Sequence, residues 1–309
     1  MSSDVDADNV VADNAVISGS CLCGKVAFTA QGVHDSMSHC HCSMCRKIHG
    51  TAFATYLSVD SFSIERGASH IRQYESSPGF FRCFCDSCGS VLPDRVPEQR
   101  DDGKPGLSDW YIPAGLLDED PGVRPNRHIF AESKANWYPI TDALPQYNGY
   151  TQLLASPRSP APGDTTRTAA ATDDSQLFHG SCLCGDVHYE FDGAPEQLMY
   201  CHCSRCRKVK GAAHATNAFV KPERFRWLEG ETGVVIYDLP GAQRFGNSFC
   251  QRCGSSVPRK SANSPLWNIP AGSIDDAIEM APKAHIYTAS KAPWFAICDD
   301  TEQFSEIPG

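Results

Sequence analysis

Apolar and polar positions alternate along this chain in short runs, and Gly and Pro interrupt them at close intervals. KVAFTA (25–30), TAFATYLSV (51–59), FSIE (62–65), IRQYES (71–76), FFRCFC (80–85) and DWYIPAG (109–115) are such runs. VHYEF (187–191), HATNAFV (214–220), FRWLEG (225–230) and VVIYDL (234–239) continue the pattern. A period of two over four to nine residues, bounded by turn formers, predicts half-buried strands. Helical periodicity is confined to two short stretches, around SMCRKIHG and in ESKANW. The expected fold is therefore mainly β and largely antiparallel.

The runs also repeat. SGSCLCGKVAF at 18–28 returns as HGSCLCGDVHY at 179–189, CHCSMCRK at 40–47 as CHCSRCRK at 201–208, and FCDSCGSVLP at 84–93 as FCQRCGSSVP at 249–258. IPAGLLD (112–118) matches IPAGSID (269–275), and HIFAESKANWYPI (128–140) matches HIYTASKAPWFAI (285–297). Self-similarity of this length marks a duplicated domain. The expected division is an acidic tail at 1–16, a first domain at 17–148, a linker at 149–176 and a second domain at 177–309. The segment between the copies is rich in Pro, Ala, Thr and Ser and too poor in large apolar residues to offset its ordering entropy; a packed crossover is the alternative. The two domains are expected to pack on each other.

Composition narrows the chemistry. Of 309 residues, 41% are hydrophobic and 21% charged, as in soluble globular proteins. No apolar run approaches the roughly 18 residues of a membrane span, and the chain opens on the acidic MSSDVDADNVVADNAV rather than a secretory signal. A cytoplasmic location is expected. The net charge is −10. With neither copy basic, nucleic acid is not an expected partner. Sixteen cysteines in a reducing compartment read as metal ligands before disulfides.

The cysteines sort into two kinds of site. Cys21 and Cys23 (C-x-C) with Cys85 and Cys88 (C-x-x-C-G) supply two half-sites that together fill the four tetrahedral positions of zinc, and Cys182, Cys184, Cys250 and Cys253 do so in the second copy. A closed four-sulfur site is structural, and its binding energy is folding energy. Three thiols per copy remain: Cys40, Cys42 and Cys45, then Cys201, Cys203 and Cys206. Three thiolates with an open fourth position suit a catalytic or ligand-capturing metal. Alternatives are a histidine cap from His39, His41 or His202, which would make the site structural, or a metal-free redox trio. Cys83 and Cys298 occur in one copy each and read as buried small side chains.

Arg46, Lys47, Arg207 and Lys208 follow the trios and are candidates for holding a substrate carboxylate, or are simply solvated. His128 and His285 are candidates for orienting a ligand or for acid–base work, against a structural role. Trp137 and Trp294 read as core or pocket wall. The copies diverge after the trio, where Phe53 and Tyr56 are replaced by His214 and Asn217. Taken as one strand face lining the pocket, these changes imply that the copies differ in substrate, that one is inactive, or that both share a site across their interface.

The ordered set G-S-C-x-C-G-x-V, C-H-C-S-x-C-R-K, F-C-x-x-C-G-S and H-I with K-A-x-W resembles the family of glutathione-dependent formaldehyde-activating enzymes and centromere protein V. The resemblance covers both copies. It implies two tandem β-tent domains, zinc-ribbon-like, with a structural zinc on Cys21, Cys23, Cys85 and Cys88 and on their second-copy counterparts. It also implies a catalytic zinc on Cys40, Cys42 and Cys45, and on Cys201, Cys203 and Cys206. The implied activity joins glutathione, a small-molecule thiol, to formaldehyde, giving S-hydroxymethylglutathione, a carbon–sulfur lyase reaction when run in reverse. A non-catalytic, zinc-stabilised binding module is the alternative, and a fold licenses a site, not a substrate.

Overall fold

The computed structural model describes residues 16–95, 110–150 and 176–307, so nearly all of the expected acidic tail and linker lie outside the described residues. Strands dominate, and among the described residues the only α-helices are α1 (Ser43–His49) and α2 (Ser204–Lys210). The helix foreseen in ESKANW is a single 3-10 turn, Ala131–Ser133, matched by Thr288–Ser290.

In the first copy, Ile17–Ser20, Ala27–Cys40, Ala54–Arg66 and Trp110–Pro113 form an antiparallel sheet in that order, and Arg127–Ile129 pairs parallel with the end of the second strand. The runs TAFATYLSV and FSIE, expected as separate strands, are one strand of 13 residues. The second copy breaks the same path into two sheets. His188–Asp192 and Gln197–Cys201 replace one long strand, and Ala215–Val220 and Phe225–Glu229 the other. Proline explains the difference: Pro195 and Pro222 stand at the two interruptions, where a residue without an N–H cannot continue a ladder. The first copy has no proline at either place.

The smaller sheets carry the C-x-x-C pairs. Ile71–Ser77, Phe80–Cys85 and Val91–Arg95 form one, and Val234–Asp238 with Gly246–Cys250 the other.

One continuous apolar cluster runs through both copies. It includes Phe28, Leu57 and Trp137 from the first and Tyr189, Leu198 and Trp294 from the second. Both tryptophans are thus core. At the seam, Phe53 stands 5.3 Å from the His214 ring and Tyr138 6.2 Å from Tyr200.

Polar contacts cross the seam reciprocally. Lys47 on α1 pairs with Asp275 and donates to Ser181 Oγ and O; Lys208 on α2 pairs with Asp118 and donates to Ser20 Oγ and Leu116 O. These two lysines, candidates for a substrate carboxylate, are committed to cross-copy ion pairs. A side-chain position alone, read without its long-range partner, could not reveal that.

The IPAG motif explains itself at the same seam. A Cβ on Gly115 would lie 2.3 Å from Ala212 N and 2.5 Å from Arg207 O; one on Gly272 would lie 2.2 Å from Arg46 O and 2.6 Å from Thr51 N. Each IPAG turn therefore packs backbone to backbone against the cysteine-bearing helix of the other copy, and only glycine permits the approach. Gly272→Ala is expected to destabilise the chain by about 1–3 kcal/mol, the usual range for overpacking. Denaturant titration checks this; a change below about 0.5 kcal/mol, ordinary for a surface site, contradicts the packing.

Candidate metal centres

Each copy gathers four sulfurs from elements distant in sequence. The Sγ atoms of Cys21, Cys23, Cys85 and Cys88 all lie within 4.8 Å of one another, as do those of Cys182, Cys184, Cys250 and Cys253. Cys21 and Cys23 are 3.4 Å apart, Cys23 and Cys85 3.7 Å, and the second copy repeats this at 3.4 and 3.6 Å. A disulfide needs about 2.05 Å. Tetrahedral zinc with bonds of about 2.3 Å sets sulfurs a little under 4 Å apart, so the four thiols fit that ion.

The chain around them is built to carry thiolates. The Val26 N–H donates to Cys21 Sγ at 3.3 Å and Val187 N–H to Cys182 Sγ at 3.3 Å. Ser90 Oγ accepts the Leu22 N–H at 2.9 Å and lies 3.3 Å from Cys88 Sγ, tying the two half-sites together; Ser255 repeats the arrangement with Leu183 and Cys253. Sequence reading passed over these serines, although the C-G-S repeat in both copies displayed them.

The trio spacing follows from local structure. Cys40 ends a strand, Cys42 is the N-cap of α1 and Cys45 sits in its first turn, where its N–H donates to Cys42 Sγ at 3.3 Å. Cys201, Cys203 and Cys206 repeat this on α2. Within each trio the sulfurs lie within 4.8 Å of one another. Hydrogen bonds from Cys40 and Cys45 pull the Cys42 thiol down to about 3, and those from Cys201 and Cys206 pull Cys203 equally to about 3. The other two thiols of each trio are held up by hydrogen bonds to their neighbours, by burial and by their neighbours' charge, so it is the spacing of the three sulfurs that fits a zinc ion with one position left over.

No histidine joins either trio among the described residues. The candidate caps are engaged elsewhere: His39 Nδ1 bonds Thr55 Oγ1 at 2.9 Å, while His41 and His202 point into buried chains. Cys83 is buried in the core as expected, but Cys298 is exposed, because its one-copy position falls on the surface segment after Trp294.

His128 and His285 form those chains. His128 Nε2 donates to Asp142 at 3.0 and 3.1 Å, leaving Nδ1 to accept from His41 Nε2 at 2.8 Å; His285, Asp299 and His202 repeat the arrangement. A half-buried carboxylate, acting through His128 or His285, thus orients the ring between two trio cysteines. The structural role prevails for both histidines, and Asp142 and Asp299 are the residues sequence reading missed, although they recur in the matched tails.

Of the basic followers, Arg46 and Arg207 remain half-buried near the trios. Desolvation lowers the Arg46 guanidinium, opposed by the charges of Cys42 and Asp275, and Arg207 Nε donates to Ser290 O at 3.2 Å. Phe53 and Tyr56 do not share a face. Three positions apart under a period of two they point oppositely: Phe53 packs on His39 and His41, whereas Tyr56 Oη lies 3.9 Å from Cys45 Sγ.

Burial alone would raise the Asp299 carboxyl, but hydrogen bonds from His285 and Thr301 outweigh it and hold the group at about 2. Its contribution to stability is therefore complete above its unfolded value near 4 and is lost as pH falls through about 2. In denaturant titrations Asp299→Asn should be less stable than the parent by a constant margin above about pH 4.5. That margin should close between pH 4 and 2, and a pH-independent margin contradicts the assignment.

The profile of the family described as "Glutathione-dependent formaldehyde-activating enzyme" matches residues 16–133 and again 177–290, together more than half of the chain. None of the curated proteins matches. Among solved structures, a Rhodobacter sphaeroides protein studied as a structural-genomics target is similar at 20% identity over 32% of this chain and 89% of its own, with a TM-score of 0.27. The chain is mainly β and holds the family's domain twice over, and it belongs to the glutathione-dependent formaldehyde-activating enzyme family.

Proposed function

We propose that the chain is a zinc-dependent carbon–sulfur lyase or synthase acting on a thiol–carbonyl adduct. Glutathione with formaldehyde, giving S-hydroxymethylglutathione, is the substrate pair that the family description supports. Residues 17–148 and 177–309 are the two working domains, and Cys40, Cys42, Cys45, Cys201, Cys203 and Cys206 hold the catalytic metal. Held by these three thiols, a zinc ion would supply a Lewis-acidic position that favours the thiolate form of a substrate thiol at neutral pH.

The observation that carries this reading is the division of fourteen sulfurs into two closed fours and two open threes. Residues of the chain do the rest. Tyr111, Phe130 and Tyr147 pack against the first trio, and Met199, Phe245, Tyr287 and Phe304 against the second, limiting water at the sulfurs. Phe130 and Tyr287, at matched positions, both adopt left-handed backbone (φ 54° and 58°), a strain that persists only where the surroundings enforce it. Since thiols add to formaldehyde unaided, the protein's contribution is capture and orientation. Arg46 and Arg207 remain for a substrate carboxylate, whereas Lys47 and Lys208 are already paired. Sixteen free cysteines suit a reducing, cytoplasmic setting. Among the described residues no helix is long and apolar enough to cross a membrane.

Metal analysis should find four zinc ions per chain, one for each sulfur group, with two lost first to a chelator. A Cys42→Ala, Cys203→Ala double variant should keep two zincs and a cooperative thermal transition while adduct formation drops to the uncatalysed rate. Two zincs in the parent chain, unaffected by glutathione, would favour the non-catalytic binding module.

A further inference from the structure

A buried polar network adjoins the first trio and has no counterpart at the second. Tyr56 Oη is 2.9 Å from His49 Nε2, 3.1 Å from Arg82 Nη1 and 3.4 Å from Asp94 Oδ2, besides its contact with Cys45 Sγ at 3.9 Å. His49 Nδ1 is held by the Lys210 carbonyl of the other copy, so Nε2 is the acceptor for the Tyr56 hydroxyl and Arg82 donates to that oxygen. Arg82 and Asp94 are ion-paired with side chains only 12% exposed each.

Among the described residues, Arg82 Nε, a donor, and Asp94 Oδ1, an acceptor, are buried without a hydrogen-bond partner, while the Cys83 N–H also bonds the Asp94 carboxylate. Leaving charged groups buried and incompletely bonded is costly. A substrate hydroxyl that accepts from Arg82 or donates to Asp94 would supply one of these missing partners.

Across the repeat, all four residues change at once. His49, Tyr56, Arg82 and Asp94 correspond to Lys210, Asn217, Asn247 and Arg259. Asn247 turns to donate to Cys88 O across the seam, and Arg259 pairs with Asp238. A carboxylate has become a guanidinium, so the second copy cannot form the network.

We propose that Arg82, Asp94 and Tyr56 form an oxygen subsite in the first copy alone, which takes the hydroxyl of a hemithioacetal formed from a small aldehyde. This rests on the enzymatic reading above and adds its substrate specificity. In the addition, the sulfur electron pair forms the carbon–sulfur bond as the carbonyl π pair moves onto oxygen. That oxygen gains the proton the thiol gave up, so the adduct contains all the atoms of thiol and aldehyde. Arg82 stabilises the developing charge on oxygen, Asp94 accepts from the finished hydroxyl, and Tyr56 fixes Arg82 beside Cys45. The second copy, with Lys210 and Arg259 in place of these groups, handles a different thiol adduct or binds thiol alone.

The test reads the first copy in a Cys203→Ala background. There, Tyr56→Phe and Asp94→Asn should lower kcat/KM for glutathione and formaldehyde at least tenfold, with the KM for glutathione changed less than twofold and zinc content retained, measured below the lowered melting temperature expected of Asp94→Asn, which leaves Arg82 buried and unpaired. A second readout needs no turnover: calorimetry with S-(2-hydroxyethyl)glutathione and S-ethylglutathione. The Cys203→Ala chain should prefer the hydroxyl-bearing ligand at least tenfold, and Arg82→Gln or Tyr56→Phe should erase the preference. Variants within twofold of their parent in both readouts overturn the subsite, as does turnover that survives Cys42→Ala but not Cys203→Ala. An absence of turnover in the unmodified chain would count against the enzymatic reading instead, and the ligand pair would then decide the subsite by itself.

Discussion

Convergence of four thiols on one point is the constraint from which the rest of each copy follows. A C-x-C turn next to the first strand and a C-x-x-C turn at the end of a separate small sheet have no reason to approach each other through apolar packing alone. Backbone N–H groups aimed at sulfur, and a serine bridging the two turns, prepare the approach. The cation that such a set fits contributes on the order of 10–16 kcal/mol in small zinc domains, enough to decide whether a domain of this size folds. With the small sheet fixed, the remaining three sulfurs are presented by the end of the central strand and the first turn of a seven-residue helix.

That helix is too short to stand by its own propensity. Its support comes from the other copy: an IPAG turn laid against its backbone, and a lysine anchored on the loop that begins the partner's closed site. The support runs both ways, so the duplication acts as a covalent dimer whose trios are each braced in trans. Within this symmetric frame the two sites have diverged. Tyr56 stands beside the first trio with Arg82 and Asp94 behind it, whereas at the matching places of the second copy Asn247 turns across the seam to Cys88 O and Arg259 pairs with Asp238.

Much of this was legible in the sequence. Spacing alone separated Cys21, Cys23, Cys85 and Cys88 from Cys40, Cys42 and Cys45, since metal ligation constrains residue type and interval together. Alternation located most strands, because the side-chain period is a local property. What it could not supply were relations set at long range. Lys47 reads as a free cation until Asp275 is placed beside it. The merging of 54–66 into one strand depends on a partner strand of similar length, and the break in the second copy on two prolines whose effect only pairing reveals. Asp142 and Asp299 stand fourteen residues from the histidines they hold, with no periodic signal between them. The grouping of Phe53 with Tyr56 was an error of period, since residues three apart on a strand face opposite ways.

X-ray absorption at the zinc edge tests the four-and-three division most directly. The account predicts, for the zinc-loaded chain alone, a mean of about 3.5 sulfurs and about half an oxygen or nitrogen ligand per zinc, rising to about four sulfurs when glutathione is added. A mean of four sulfurs before any thiol is present, or a spectrum that glutathione leaves unchanged, would contradict it.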